Sequence, residues 1–182
     1  NYYVSCAVLE NGEAYCWGSN GGSWSETHLG AGVTCSNGDY SNNCDGDGNW
    51  DEPYLPVVLP EGTKAKSAHA PVLYYNSHGC VVLDDGNAVC WGHNSNGELG
   101  DGTINSVTSG EEPTLVYLPS GITPTIMTLA LAKESSCALF ENGSVYCWGF
   151  NNVGQLGDGT VCEGGDYENN CNGNAAKPII YD

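Results

Sequence analysis

CALFENGSVYCWGFNNVGQLGDGT, residues 137–160, decides the fold, because its skeleton is written three times in the chain. CAVLENGEAYCWG begins at Cys6, and CVVLDDGNAVCWGHNSNGELGDGT begins at Cys80. The Trp-Gly pair recurs at Trp17, Trp91 and Trp148, and Leu-Gly follows at Leu29, Leu99 and Leu156. Intervals of 74 and 57 residues between the tryptophans mark one small supersecondary unit repeated along 182 residues. None of the units carries a helical period. Short β-branched and aromatic runs alternate with Gly, Asn and Asp clusters, which is the all-β pattern.

Each unit is centred on a hairpin whose register the cysteines report. With Glu10-Asn11-Gly12 as a three-residue loop and glycine in the left-handed position, Leu9 faces Glu13. Counting outward places Cys6 opposite Cys16. The same count around Asp84-Asp85-Gly86 sets Cys80 against Cys90, and around Glu141-Asn142-Gly143 it sets Cys137 against Cys147. Opposed residues of a non-hydrogen-bonded antiparallel pair lie close enough for a disulfide. Each such bond closes a short loop and contributes roughly 2–3 kcal/mol.

Two further strands complete a unit. Lys64–Ala70 and Ile126–Ala132 precede the second and third hairpins. In the latter, small Thr128, Ala130 and Ala132 alternate with larger Met127, Leu129 and Leu131, as suits an innermost strand crowded near an axis. PVVLP (56–60), PTLVYLP (113–119) and PIIYD (178–182) follow the hairpins, and an initial proline suits an outer edge that can spare a donor. Four antiparallel strands from inner to outer make a propeller-type blade. The expected fold is therefore all-β: three such blades, at 1–60, 61–119 and 120–182. The first lacks its inner strand, and the three form an open arc rather than a closed ring within this chain.

The run from Cys137 to Thr160 resembles the repeat of the regulator-of-chromosome-condensation family. Trp148, Gly149, Asn151, Gly154, Gln155, Leu156, Gly157 and Gly159 carry the likeness. In the second unit Trp91, Gly92, Asn94, Gly97, Leu99, Gly100 and Gly102 carry it, with Glu98 in place of the glutamine. The first unit is looser, since SNGGSWSETH adds four residues before Leu29. The resemblance implies a β-propeller, commonly of seven blades, and leaves function open, because members range from nuclear exchange factors to secreted inhibitors of other proteins. Cysteine bridges in every hairpin depart from the nuclear members.

Composition narrows the function classes. Four lysines and no arginine stand against 22 carboxylates, a net charge of −18. Such a chain is repelled by phosphate backbones and anionic lipid, so nucleic acid is not an expected partner. No apolar run reaches spanning length, which argues against membrane insertion. Ten cysteines in so short a chain point to an oxidising, extracellular setting, secreted or at the cell surface.

Candidate sites lie mainly in the insertions. C-x-x-G-D-Y-x-N-N-C occurs at Cys35–Cys44 and again at Cys162–Cys171; pairing each couple as a disulfide uses up the ten cysteines. After Cys44, the side chains of Asp45, Asp47, Asn49, Asp51 and Glu52 resemble the front half of a calcium loop, although Pro56 stands where its closing glutamate belongs. An acidic solvated turn is the other reading of that stretch. Trp24 and Trp50, also in insertions, are candidates for a contact surface, whereas the Trp-Gly tryptophans are read as core anchors. Asn142-Gly143-Ser144 is a formal glycosylation acceptor at a hairpin tip, where a plain turn asparagine also fits. The four histidines show no metal-ligand spacing, and neither a nucleophile elbow nor a phosphate loop is present, so no catalytic residue is assigned and the chain is not expected to be an enzyme.

Two functions fit these readings. One is a non-catalytic extracellular structural protein whose blades self-associate through open strand edges into a ring, tube or fibre, with the chain itself as partner. The other is a secreted or cell-surface recognition module, part of a larger propeller, binding a protein or glycan through its insertion loops.

Overall fold

The computed structural model describes residues 4–18, 55–70, 78–106, 112–118, 125–132, 134–157, 159 and 177–178. Ten strands and no helix occupy them. In the first unit β1 (Val4–Val8) pairs with β2 (Ala14–Gly18), and an isolated bridge joins Tyr15 to Pro56. The second unit is a four-stranded antiparallel meander of β3 (Ala65–His69), β4 (His78–Leu83), β5 (Ala88–Gly92) and β6 (Thr114–Leu115). The third repeats it with β7 (Ile126–Leu131), β8 (Ser135–Phe140), β9 (Val145–Gly149) and β10 (Lys177–Pro178). These are propeller-type blades, and the three sheets do not close into a ring.

The hairpins fall in the register that the cysteines report. Cys6 faces Cys16, Cys80 faces Cys90 and Cys137 faces Cys147. Each couple is a disulfide with its Cα atoms 4.1 Å apart. That spacing belongs to the non-hydrogen-bonded type of antiparallel pair, where side chains approach most closely. Gly12, Gly86 and Gly143 take φ of +88°, +87° and +85°, closing three-residue loops that end in a glycine bulge. Before each glycine, a side-chain oxygen of Asn11, Asp85 or Asn142 accepts the N–H of the residue two further on, which locks the turn locally.

Both inner strands carry the same irregularity, and it corrects one expectation. Ala65 pairs with Leu83 but Ser67 with Val82, and Ile126 pairs with Phe140 but Thr128 with Leu139, so Lys66 and Met127 are extra residues. The bulge shifts the alternation. Ile126 and Leu129 enter the core, whereas Met127, expected on one face with Leu129 and Leu131, is 48% exposed. In the first two units the outer strands are shorter than the proline-led runs suggested. β6 holds only two paired residues, and in the first unit the outer run is reduced to the Pro56 bridge and a bond from Val57 N–H to the Ala14 carbonyl.

The second unit lies between the other two. β4 packs against β7 and β1 against β3, so every residue of β4 and β5 is buried. Val81, Val82, Leu83, Val89, Ile126 and Phe140 are at the centre of this core. At roughly 1.5–3 kcal/mol per fully buried aliphatic side chain, these inter-unit faces outweigh any single staple. Backbone bonds also cross the junctions: Ala65 N–H donates to Gly12 O at 2.8 Å, and Ile126 N–H to Gly86 O at 3.0 Å. The first two hairpin tips therefore anchor the inner strand of the next unit.

Candidate functional site

The densest polar constellation among the described residues lies between the second and third units. It is built from the turn that follows Trp91-Gly92. Asn94 and Gly97 open the turn, with Gly97 N–H donating to Asn94 O and Gly100 N–H to Gly97 O, both at 3.1 Å. The Asn94 side chain sits inside and accepts Leu99 N–H at 2.9 Å, which draws Leu99 into the core. In the third unit Asn151 accepts Leu156 N–H at 3.0 Å in the same way. At the glutamine position the side chain accepts the N–H of the residue two before it: Asn96 to Glu98 at 2.9 Å, Val153 to Gln155 at 3.0 Å. The repeated motif is thus a turn whose side chains hold its own backbone.

This turn docks on the next unit. The Glu98 carbonyl accepts the buried indole N–H of Trp148 at 2.8 Å and the hydroxyl of Ser136 at 3.0 Å. Gly100 lies flat on that indole; a Cβ there would stand 2.6 Å from Trp148 Nε1. Ser136 Oγ also lies 2.6 Å from His78 Nε2. Because the hydroxyl proton goes to the Glu98 carbonyl, His78 must donate from Nε2, and its buried Nδ1 has no partner among the described residues. Burial, which Glu98 partly offsets and His93 reinforces, pushes the His78 pKa down to about 4, so the ring is neutral. The Glu98 carboxylate is itself fully buried and receives His93 Nδ1–H at 2.8 Å and the two N–H groups of Asn96. Burial pushes this carboxyl up, but the bonds from His93, from its own amide and from Asn96 outweigh that effect and hold it below its ordinary value.

Ser136 and His78 sit at the separation of a nucleophile and its base, yet the protons run the wrong way. An activated serine gives its proton to the imidazole. Here the imidazole donates to the serine, and both residues are 1% exposed. The cluster is a lock between units, with neither the proton wiring nor the access for catalysis. No group of three His, Cys, Asp or Glu side chains able to hold a metal occurs among the described residues.

The sequence-derived candidates divide by location. The three hairpin disulfides are where the spacing put them. Cys35, Cys44, Cys162 and Cys171, the calcium candidates Asp45, Asp47, Asn49, Asp51 and Glu52, and the contact candidates Trp24 and Trp50 lie outside the described residues. Asn142 is exposed at its tip. Trp91 and Trp148 are buried anchors, but Trp17 is 37% exposed, a correction to the reading of all three as core. Trp148 owes its burial to the turn of the unit before it, and among the described residues no such turn precedes Trp17. The His78–Ser136–Glu98–His93 network escaped the sequence reading. Its signal was in the repeat alignment, where unit two carries His93 and Glu98 at the positions of Phe150 and Gln155.

The outer rim offers a different feature. Val116 N–H bonds to Ala88 O and Tyr117 N–H to Gly100 O, which fixes the segment after β6 along the second unit. Its alternate side chains Leu115 and Tyr117 point outward, 51% and 60% exposed.

Comparison with known proteins agrees with this geometry. Residues 1–22, 74–98 and 134–155 match the Regulator of chromosome condensation (RCC1) repeat. The chain is 34% identical over 84 residues to the Protein RCC2 homolog of Danio rerio, covering 46% of this chain and 16% of that protein. The structure of yeast RCC1 (Prp20) bound to Kap60 superposes with a TM-score of 0.64 at 16% identity, covering 99% of this chain and 34% of that one. Prp20p of Saccharomyces cerevisiae, in a structure titled for its binding properties to Gsp1p and histones, gives 0.63 at 18% identity, covering 98% and 36%. The chain thus spans about a third of the solved propellers and less than a fifth of the curated relative. Matched at its three Trp-Gly hairpins and alike in fold to these structures, the chain carries RCC1-type β-propeller repeats.

Proposed function

We propose that this chain is a non-catalytic extracellular protein-interaction module, a propeller segment of three units (1–60, 61–119 and 120–182) that presents a contact surface. The observation that carries the reading is the contrast between interior and rim. The buried polar side chains of the blade junction are almost entirely committed to one another, while Leu115 and Tyr117 project from the outer edge. Tyrosine is among the side chains that most often anchor a protein contact, and Leu115 extends the apolar surface beside it. The fold supports the same level of description, since Prp20 is found in complex with another protein. A net charge of −18 favours neutral or basic partners and disfavours nucleic acid. Three disulfides in the described hairpins support an oxidising, extracellular location.

Self-association into a ring, tube or fibre is the second reading. It is favoured by β1, which among the described residues pairs on one side only and presents donors and acceptors on the other. Native mass spectrometry with electron microscopy of the purified chain separates the two. A 19.1 kDa species supports recognition. Regular polymers, abolished by a proline in β1, support assembly and sink the first reading.

A further inference from the structure

We propose that Asn142 is a site of N-linked glycosylation. The inference rests on the extracellular reading above and adds to it a modification on one hairpin tip. Asn142-Gly143-Ser144 is the one Asn-x-Ser/Thr triplet in the chain. It occupies the loop between β8 and β9, where Asn142 is exposed and Gly143 turns the backbone at φ +85°.

The three tips are equivalent in backbone and different in chemistry. At the first, Asn11 Nδ2 donates to Glu13 Oε2 at 2.7 Å, and no hydroxyl follows two residues on. The second tip has Asp85 instead, which has no amide nitrogen. At the third, Asn142 Oδ1 accepts both the Ser144 N–H at 2.9 Å and the Ser144 hydroxyl at 2.7 Å. Both bonds are made by the oxygen. They draw it toward the backbone and leave Nδ2 as the outward arm, with no hydrogen bond among the described residues.

The co-reactant is a lipid-pyrophosphate-linked oligosaccharide. Asn142 Nδ2 forms a bond to the anomeric carbon of the first sugar and loses one proton to a base of the transferase. The anomeric C–O bond breaks, and the lipid pyrophosphate leaves with the electron pair. No oxidation or reduction takes place. The product is bulky and solvated, and the tip has room for it: a Cβ added at Gly143 would meet no atom within 4 Å.

The experiment is secretion of the full chain from a eukaryotic host, followed by peptide mapping under non-reducing conditions with and without peptide-N-glycosidase. The expected result is a glycan on the peptide containing residue 142, and aspartate at that position after the enzyme. Asn142→Gln and Ser144→Ala should each remove the glycan, while Ser144→Thr, which retains the hydroxyl, keeps it. The Cys137–Cys147 bond reports separately on the compartment. A secreted, disulfide-bonded chain with bare Asn142 overturns the glycosylation proposal alone. Free thiols at Cys137 and Cys147 in the exported chain overturn both it and the reading it rests on.

Discussion

Acidification from pH 7 to pH 4 should weaken the junction between units two and three through His78. The ring is 1% exposed, donates to Ser136 from Nε2 and leaves Nδ1 without a partner among the described residues. A second proton would have to sit on that buried nitrogen, out of reach of water. The folded state therefore holds the proton more weakly than the unfolded chain, with a pKa of about 4 against an ordinary 6.5. Stability rises with pH between those two values and is flat above them. At about 1.36 kcal/mol per pH unit, the loss by pH 4 is roughly 3 kcal/mol. That is a large part of the total for a domain whose net stability is on the order of 5–15 kcal/mol. Glu98 adds a loss of the same direction at lower pH, because its depressed carboxyl stabilises the fold only while ionised. The control is His78→Gln, whose amide can still donate to Ser136 and does not titrate. Urea unfolding followed by tryptophan fluorescence, at pH 7, 5.5 and 4, measures both proteins. The variant should lose about 3 kcal/mol less than the parent over this interval. Parallel decline of the two curves would refute the assignment of the pH dependence to His78.

Three further perturbations read other parts of the same frame. Gly100→Ala should cost several kcal/mol, because the new Cβ meets the Trp148 indole at 2.6 Å, whereas Gly102→Ala, at a similar positive φ with open space around it, should cost only about 1 kcal/mol; equal losses in thermal melts would show that backbone strain alone is at work. Replacing Cys137 and Cys147 together by serine should lower stability by roughly 2–3 kcal/mol and leave the β8–β9 register intact by NMR. His93→Phe should destabilise by about 3 kcal/mol by stripping a donor from a buried carboxylate, and adding Glu98→Gln should restore most of the loss, since the pair then matches Phe150 and Gln155 of unit three; additive losses in the double-mutant cycle would contradict the coupling.

The hairpins were legible because their determinants are local. A glycine with positive φ, a side chain that caps the turn and two cysteines counted outward leave one register, and three copies gave the same answer. The outer strands of the first two units were legible in place and not in length, since pairing at an edge depends on few hydrogen bonds and proline removes one of them. The bulges at Lys66 and Met127 were hidden because the period-2 pattern of residues 127–132 reads cleanly without them; only the pairing to the neighbouring strand reveals an extra residue. Trp17 was misread for a related reason. Its local motif equals that of Trp91 and Trp148, but burial of the indole is decided by the turn of a different unit.

The junction network was hidden for the opposite reason, that its parts are remote. His78 meets Ser136 across 58 positions of sequence, and Ser136 meets the Glu98 carbonyl across 38. No spacing rule for a catalytic or metal site applies to such a set. What the sequence does contain is a departure from its own repeat: unit two has His78, His93 and Glu98 where unit three has Ser135, Phe150 and Gln155. In both units the turn has the same backbone, because Glu98 and Gln155 each accept the N–H two residues before them. Glutamate in that role brings a buried negative charge, and a buried charge persists only when it is fully hydrogen-bonded. Asn96 and His93 meet that demand, where unit three needs only Val153 and Phe150. The Glu98–His93 pair of unit two is thus accounted for by one substitution and the donors it requires. Chemistry on a substrate is not needed to explain it, and the search for function moves outward to the rim and the hairpin tips.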